Sequence, residues 1–180
     1  MTYQPVFPAA LQPTAQALLD LLSLGELSPP SPGFNVRVNG EPLSAPARTY
    51  HSARRLEATI ARSGGDARTL ALCLGTTNWN GHVREECVRQ LLMDLDRAWA
   101  VPFVVQLVGE YVIEIVDVIE SALPLVNSRH FGEFVRENSA FMATTRHRVT
   151  SYWDCYFRQR FPALRDYPGF VALEAIERMA

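Results

Sequence analysis

Residues 101–122 constrain the fold more than any other stretch, because they are apolar on nearly every side of a helix yet carry Gln106, Glu110, Glu114 and Asp117 at steps of three or four. A membrane span would place these acids near mid-bilayer, at a cost of about 2.5–3.5 kcal/mol each. A surface helix would be far more polar. The segment therefore predicts a buried core helix, with Pro102 suited to its first turn, Pro124 just past its end, and Gly109 as a point where it divides in two. No membrane association is expected.

A chain with such a helix needs other helices around it, and 180 residues with 48% hydrophobic content supply them within one domain. The segment 14–24 reads as a first helix with Leu18, Leu21 and Leu22 inward and Gly25 as its stop. Residues 49–62 read as a helix with Leu56 and Ile60 inward, and Asp66 as the cap of a helix running to Gly75. Residues 82–95 form the cleanest amphipathic pattern, with Cys87, Val88, Leu91 and Leu92 on one side and the i,i+4 pair Glu85/Arg89 on the other. Residues 131–138, a long helical stretch over 139–161 and a short last helix to Met179 complete the chain. In the long stretch Thr145, Val149, Tyr152, Trp153, Tyr156 and Phe157 share a stripe, which predicts an aromatic core face.

Residues 28–47 interrupt this helical reading. Five prolines exclude a helix, and the alternating Phe34 to Val38 ends at Asn39-Gly40, a type I′ turn dipeptide. Pro42 weakens the second strand, so an irregular hairpin or an extended insertion is expected.

The segments 70–75 and 104–109 match in pattern at an offset of 34 residues, and the helices behind them match at 29. A two-helix unit with a loop of variable length has this signature. Asp66 to Leu74, a polar loop, and then Gly81-His82-Val83-Arg84-Glu85 through Leu91 resemble a HEAT-type helical repeat. In that family a Val-Arg pair opens the second helix and the Arg ties successive repeats together; Val83, Arg84 and Leu91 stand in the matching places. Asn78 or Asn80 replaces the family's acidic turn residue, and Val112-Ile113 replaces the Arg in the second unit. The resemblance spans residues 66–122. It implies an all-α domain built as a short α-solenoid or helical bundle of HEAT-like hairpins, and a protein that binds other macromolecules.

Composition excludes several function classes. The net charge of -2 leaves no global footprint for nucleic acid. Cys73, Cys87 and Cys155 are odd in number and widely spaced, so they read as small core residues in a reducing, cytoplasmic setting. His51, His82, His130 and His147 never fall three or four residues apart, and no Glu-x-x-His occurs, so no metal and no cofactor are expected.

What remains is a non-enzymatic binding or adaptor module with a protein partner. Its expected contact surface combines Trp79, Arg84, Arg89, Arg146, Arg148 and Arg158, because interface anchors favour Trp and Arg and all 17 basic residues are arginines. Trp79 sits in a polar loop, where the more ordinary use is a lid over helix ends. Arg146, Arg148, Arg158, Arg160 and Arg165 face one acid, Asp154, within residues 146–165. They can pair with the acids of the central helix, meet a protein partner or clamp phosphates. The alternative reading is an enzyme or small-ligand protein with a pocket formed by Glu110, Glu114, Tyr152 and Trp153. A third is nucleic-acid binding through the C-terminal arginines, which requires one shared open face. An all-round apolar helix in a short solenoid also calls for capping by another element or a second copy.

Overall fold

The computed structural model describes residues 5–22 and 33–180. Nine α-helices and one two-stranded sheet make up the described residues, so the chain is mostly helical. Gly25 and the prolines at 29, 30 and 32 lie outside them.

Helix α1, Gln12–Leu21, buries Ala15 and Leu18, and Leu22 follows them inward, while Leu21 is 67% exposed. Leu21 therefore does not share the inward face expected of it. The stripe advances by three and then four residues, and Leu21 falls on the wrong side of it.

The described part of the insertion, residues 33–47, is a regular hairpin rather than an irregular one. Strands β1, Gly33–Val38, and β2, Glu41–Pro46, pair antiparallel through all six residues, with Asn39 (φ 52°) and Gly40 (φ 80°) forming the left-handed turn. Pro42 lies opposite Arg37, whose backbone N–H and C=O both turn away from β2 to the Asn138 side chain, at 2.7 and 2.8 Å. That makes Arg37 and Pro42 a non-hydrogen-bonded pair, so proline's missing donor removes no ladder bond. Phe34, Val36 and Val38 alternate inward and join the helical core.

Helix α2, Ala53–Arg62, begins four residues later than the pattern suggested, with Leu56 and Ile60 buried. Thr49 instead runs parallel to residues 77–79, its N–H donating to the Thr77 carbonyl and its carbonyl accepting from Trp79 N–H. Helix α3, Gly65–Gly75, starts after Gly64, so Asp66 is not its cap; it lies in the first turn and binds Arg97 at 2.8 Å. Helix α4, Gly81–Met93, is capped by Asn80, whose side chain accepts from His82 N–H.

The apolar run divides at Gly109, as its glycine suggested, into α5, Val101–Val108, and α6, Ile113–Ala122. Every residue of α5 is buried. Helices α3 and α4 form one hairpin, α5 and α6 the next, and α4 lies along α6. Helices α7, Ser128–Glu137, α8, Ser139–Tyr152, and α9, Pro168–Glu177, follow, and α9 returns to pack on α6, α7 and α8 through Ala172, Leu173 and Ile176.

The aromatic face expected beyond Thr145 and Val149 is only partly inward. A π-helical turn, Trp153–Phe157, rotates the stripe by adding a residue per turn, and Tyr156 emerges 67% exposed while Trp153 and Phe157 stay half-buried. Cys155 is carried outward by the same turn, so it is an exposed thiol and not a core residue, unlike Cys73 and Cys87. Among the described residues no helix is long and apolar enough to cross a membrane.

Candidate functional site

The bend between α5 and α6 presents Glu110 to the interior. A carboxylate 4% exposed must find cations, and Glu110 has two: Arg84 Nη2 lies 2.9 Å from Oε2 and Arg48 Nη2 lies 2.6 Å from Oε1. Arg84, 2% exposed, also donates to the backbone carbonyls of Asn78 and Trp79, so one guanidinium joins the α3–α4 turn to the α5–α6 turn. Burial lowers the Arg84 pKa, and the neighbouring Glu110 charge works against that shift. Arg84 is thus an internal tie. It does not belong to the contact surface expected of it.

Next to this ion pair a cavity of about 350 Å3 opens, lined by Arg48, Gln106, Glu110, Tyr111, Arg148 and Tyr152 among others. Three separate segments build it. Arg48 follows β2, Gln106 projects from α5, and Arg148 and Tyr152 stand one turn apart on α8. Tyr111 and Tyr152 meet edge to face at 6.0 Å and continue to Tyr156, giving an exposed tyrosine cluster at the rim.

The pocket anticipated from Glu110, Glu114, Tyr152 and Trp153 is not one pocket. Glu110 and Tyr152 share this cavity. Glu114 is exposed in the first turn of α6, on a different groove, because the bend at Gly109 breaks the helical stripe that would have aligned the two acids. Trp153 donates from Nε1 to the Phe161 carbonyl and lies 4.9 Å beneath Arg158.

That second groove, about 610 Å3, runs between α4 and α6. Leu92, Val118 and Ala122 contribute apolar surface, and Met93 and Leu125 stand at its side 78% and 88% exposed. Glu85, Glu114 and Asp117 also line it, with Arg89 held by Glu85 at 2.7 Å. Burial raises the Asp117 pKa, with Glu114 adding to the effect and Arg160 opposing it.

Among the described residues no C-terminal arginine makes an ion pair with the central acids, although Arg160 lies near enough to Asp117 to oppose the rise in its pKa. Arg146 reaches Glu174 at 2.7 Å, and Glu177, both on α9, and sits over Phe170; Arg158 reaches Asp154 at 3.0 Å; Arg160 covers Phe161; Arg165 approaches Asp166 at 3.9 Å. Arg148 has no carboxylate partner among the described residues and turns to the cavity instead. Trp79 is 58% exposed, which overturns the lid.

The six residues expected to form one surface are therefore dispersed: Arg84 inside, Arg89 on the α4–α6 groove, Arg148 at the cavity, Arg146 and Arg158 tied to local acids, and Trp79 exposed at the start of α4. Arg48, Gln106, Tyr111, Met93 and Leu125 are residues that sequence reasoning did not assign to a site. Gln106 was visible as a polar interruption of an apolar helix, but nothing local marks Arg48. Among the described residues no three His, Cys, Asp or Glu side chains converge as a metal site. No family model, curated protein or solved structure matches the chain.

Proposed function

We propose that this protein is a non-enzymatic, cytoplasmic adaptor module, built around two HEAT-like hairpins, that docks a basic amphipathic helix of a protein partner in the groove between α4 and α6. The observation that carries this reading is the pairing of two almost fully exposed apolar side chains, Met93 and Leu125, with an acidic lining. Large apolar groups set together at a surface with polar residues around them mark contact sites. An amphipathic helix would seat its apolar stripe on Leu92, Val118 and Ala122 and bring Lys or Arg to Glu114 and Asp117. Complementary charge would steer its approach. The family resemblance of residues 66–122 supports a binding role, and three free cysteines suit a reducing compartment.

The test is a titration with two synthetic amphipathic helices, one of Leu and Arg and one of Leu and Glu, against the native chain and a Met93→Asp/Leu125→Asp variant. The Leu/Arg peptide should bind the native chain, and the variant should fail to bind it at an unchanged melting temperature. Absence of binding, equal binding of both peptides, or binding that survives in the variant would each overturn the reading.

A further inference from the structure

The cavity beside Glu110 is chemically unlike the α4–α6 groove. Two guanidiniums, those of Arg48 and Arg84, hold the Glu110 carboxylate, and a third, that of Arg148, lines the same cavity. Glu110 is offset from both sides, by Arg84 behind and Arg48 in front, which leaves Arg148 as uncompensated positive charge at the cavity wall. Half-buried, Arg148 keeps its planar fork of donors with no acid on it among the described residues. Its stem lies against Gly109, where an added Cβ would be 3.4 Å from the Arg148 side chain, so the guanidinium has a supported base rather than a free tether.

A second, independent observation comes from α5. Gln106 lines the same cavity at 6% exposure, and its side-chain oxygen is buried without a hydrogen-bond partner among the described residues. A buried polar group left unpartnered costs about 1–3 kcal/mol, and a ligand or ordered water in the cavity would relieve it. The volume, about 350 Å3, is that of a small-molecule site. Tyr111 and Tyr152 offer ring surface beside the charge.

From the convergence of Arg48, Arg148 and Gln106 next to two tyrosines, we propose that this cavity binds a small ligand carrying a carboxylate or phosphate oxyanion on a planar body. Arg148 holds the oxyanion through two parallel N–H···O bonds, Arg48 adds charge while retaining Glu110, Gln106 accepts from a hydroxyl or amine of the ligand, and the tyrosines flank its ring. The site is independent of the adaptor groove, since none of its lining residues is shared with that groove.

Calorimetric titration of the full chain at low salt with phenyl phosphate, benzoate, inorganic phosphate and uncharged phenol tests it. Phenyl phosphate or benzoate should bind with one site per chain, at least roughly tenfold more tightly than inorganic phosphate, and phenol should not bind. Arg148→Gln should weaken the aryl anion at least roughly tenfold at an unchanged melting temperature. Tyr152→Leu, whose positive charges are intact, should weaken the aryl anion while leaving inorganic phosphate unaffected, and it serves if Arg148→Gln does not fold. Binding should persist in Met93→Asp/Leu125→Asp, which separates this site from the adaptor reading. No binding of either aryl anion up to about 10 mM, or binding in Arg148→Gln and Tyr152→Leu as tight as in the native chain, would overturn the proposal.

Discussion

Arg84 Nη2 and Glu110 Oε2 face each other at 2.9 Å with both side chains almost wholly buried, one at the head of α4 and the other in the bend between α5 and α6. Neither charge has water to fall back on. The pair is therefore more consequential when halved than when removed.

Glu110→Ala should lower stability by about 3–5 kcal/mol, because it leaves Arg84 buried and uncompensated, whereas Arg84→Met/Glu110→Leu should recover most of that loss. Chemical denaturation of the two variants and the native chain measures both. A double variant as unstable as Glu110→Ala would show that the carbonyls of Asn78 and Trp79, which Arg84 also holds, dominate its role.

His51 is 4% exposed and neither ring nitrogen has a partner among the described residues, and burial lowers its pKa below 6.5. The folded state then prefers the neutral ring, and the unfolded chain takes up a proton first as pH falls. Its contribution is intact above pH 6.5 and declines below it, toward the folded pKa, by at most about 1.4 kcal/mol per pH unit. Melting curves between pH 7.5 and 5, with His51→Leu as the comparison, should show a flatter acid limb in the variant.

Asn138 gives and takes with one residue of β1, accepting from Arg37 N–H and donating to the Arg37 carbonyl, and it also donates to the Phe134 carbonyl. Asn138→Ala should cost about 1–3 kcal/mol, by stranding half-buried backbone groups. Hydrogen exchange should accelerate first at the Arg37 amide, since its ladder-free N–H has no other acceptor. Unchanged protection at Arg37 would mean that the hairpin is held by its apolar face alone.

Tyr167 is fully buried, its hydroxyl without a partner among the described residues, stacked on Phe157 at 5.3 Å, and burial together with Asp117 pushes its pKa up to about 12. Tyr167→Phe keeps the ring and removes the unmet polar group, so it should leave stability unchanged or raise it by up to about 1 kcal/mol. Gly169→Ala should do the opposite, since its Cβ would lie 2.6 Å from the Tyr167 ring. A thermal melt of each variant decides the signs.

Local pattern determined much of this architecture. The helical periods of α2, α4 and α7, the turn at Asn39-Gly40 and the bend at Gly109 are properties of short stretches, where period, glycine and capping side chains act within a few residues. The burial of residues 101–108 follows equally from their lack of any polar side but Gln106.

The candidate sites were decided by tertiary structure. The break at Gly109 was legible, but which acid it turns inward was not: packing brings Glu110 to Arg84 and leaves Glu114 on an open groove. Arg48 and Arg148 are separated by 100 positions and line one cavity only because the residue after β2 and helix α8 both border that bend. Whether an arginine is a tie, a paired surface charge or a cavity donor depends on which acid reaches it. Acids from α9 reach Arg146, and among the described residues none reaches Arg148. Periodicity assigns a side chain to a face of its own helix; which distant charge occupies the space beyond that face is set by how the helices pack.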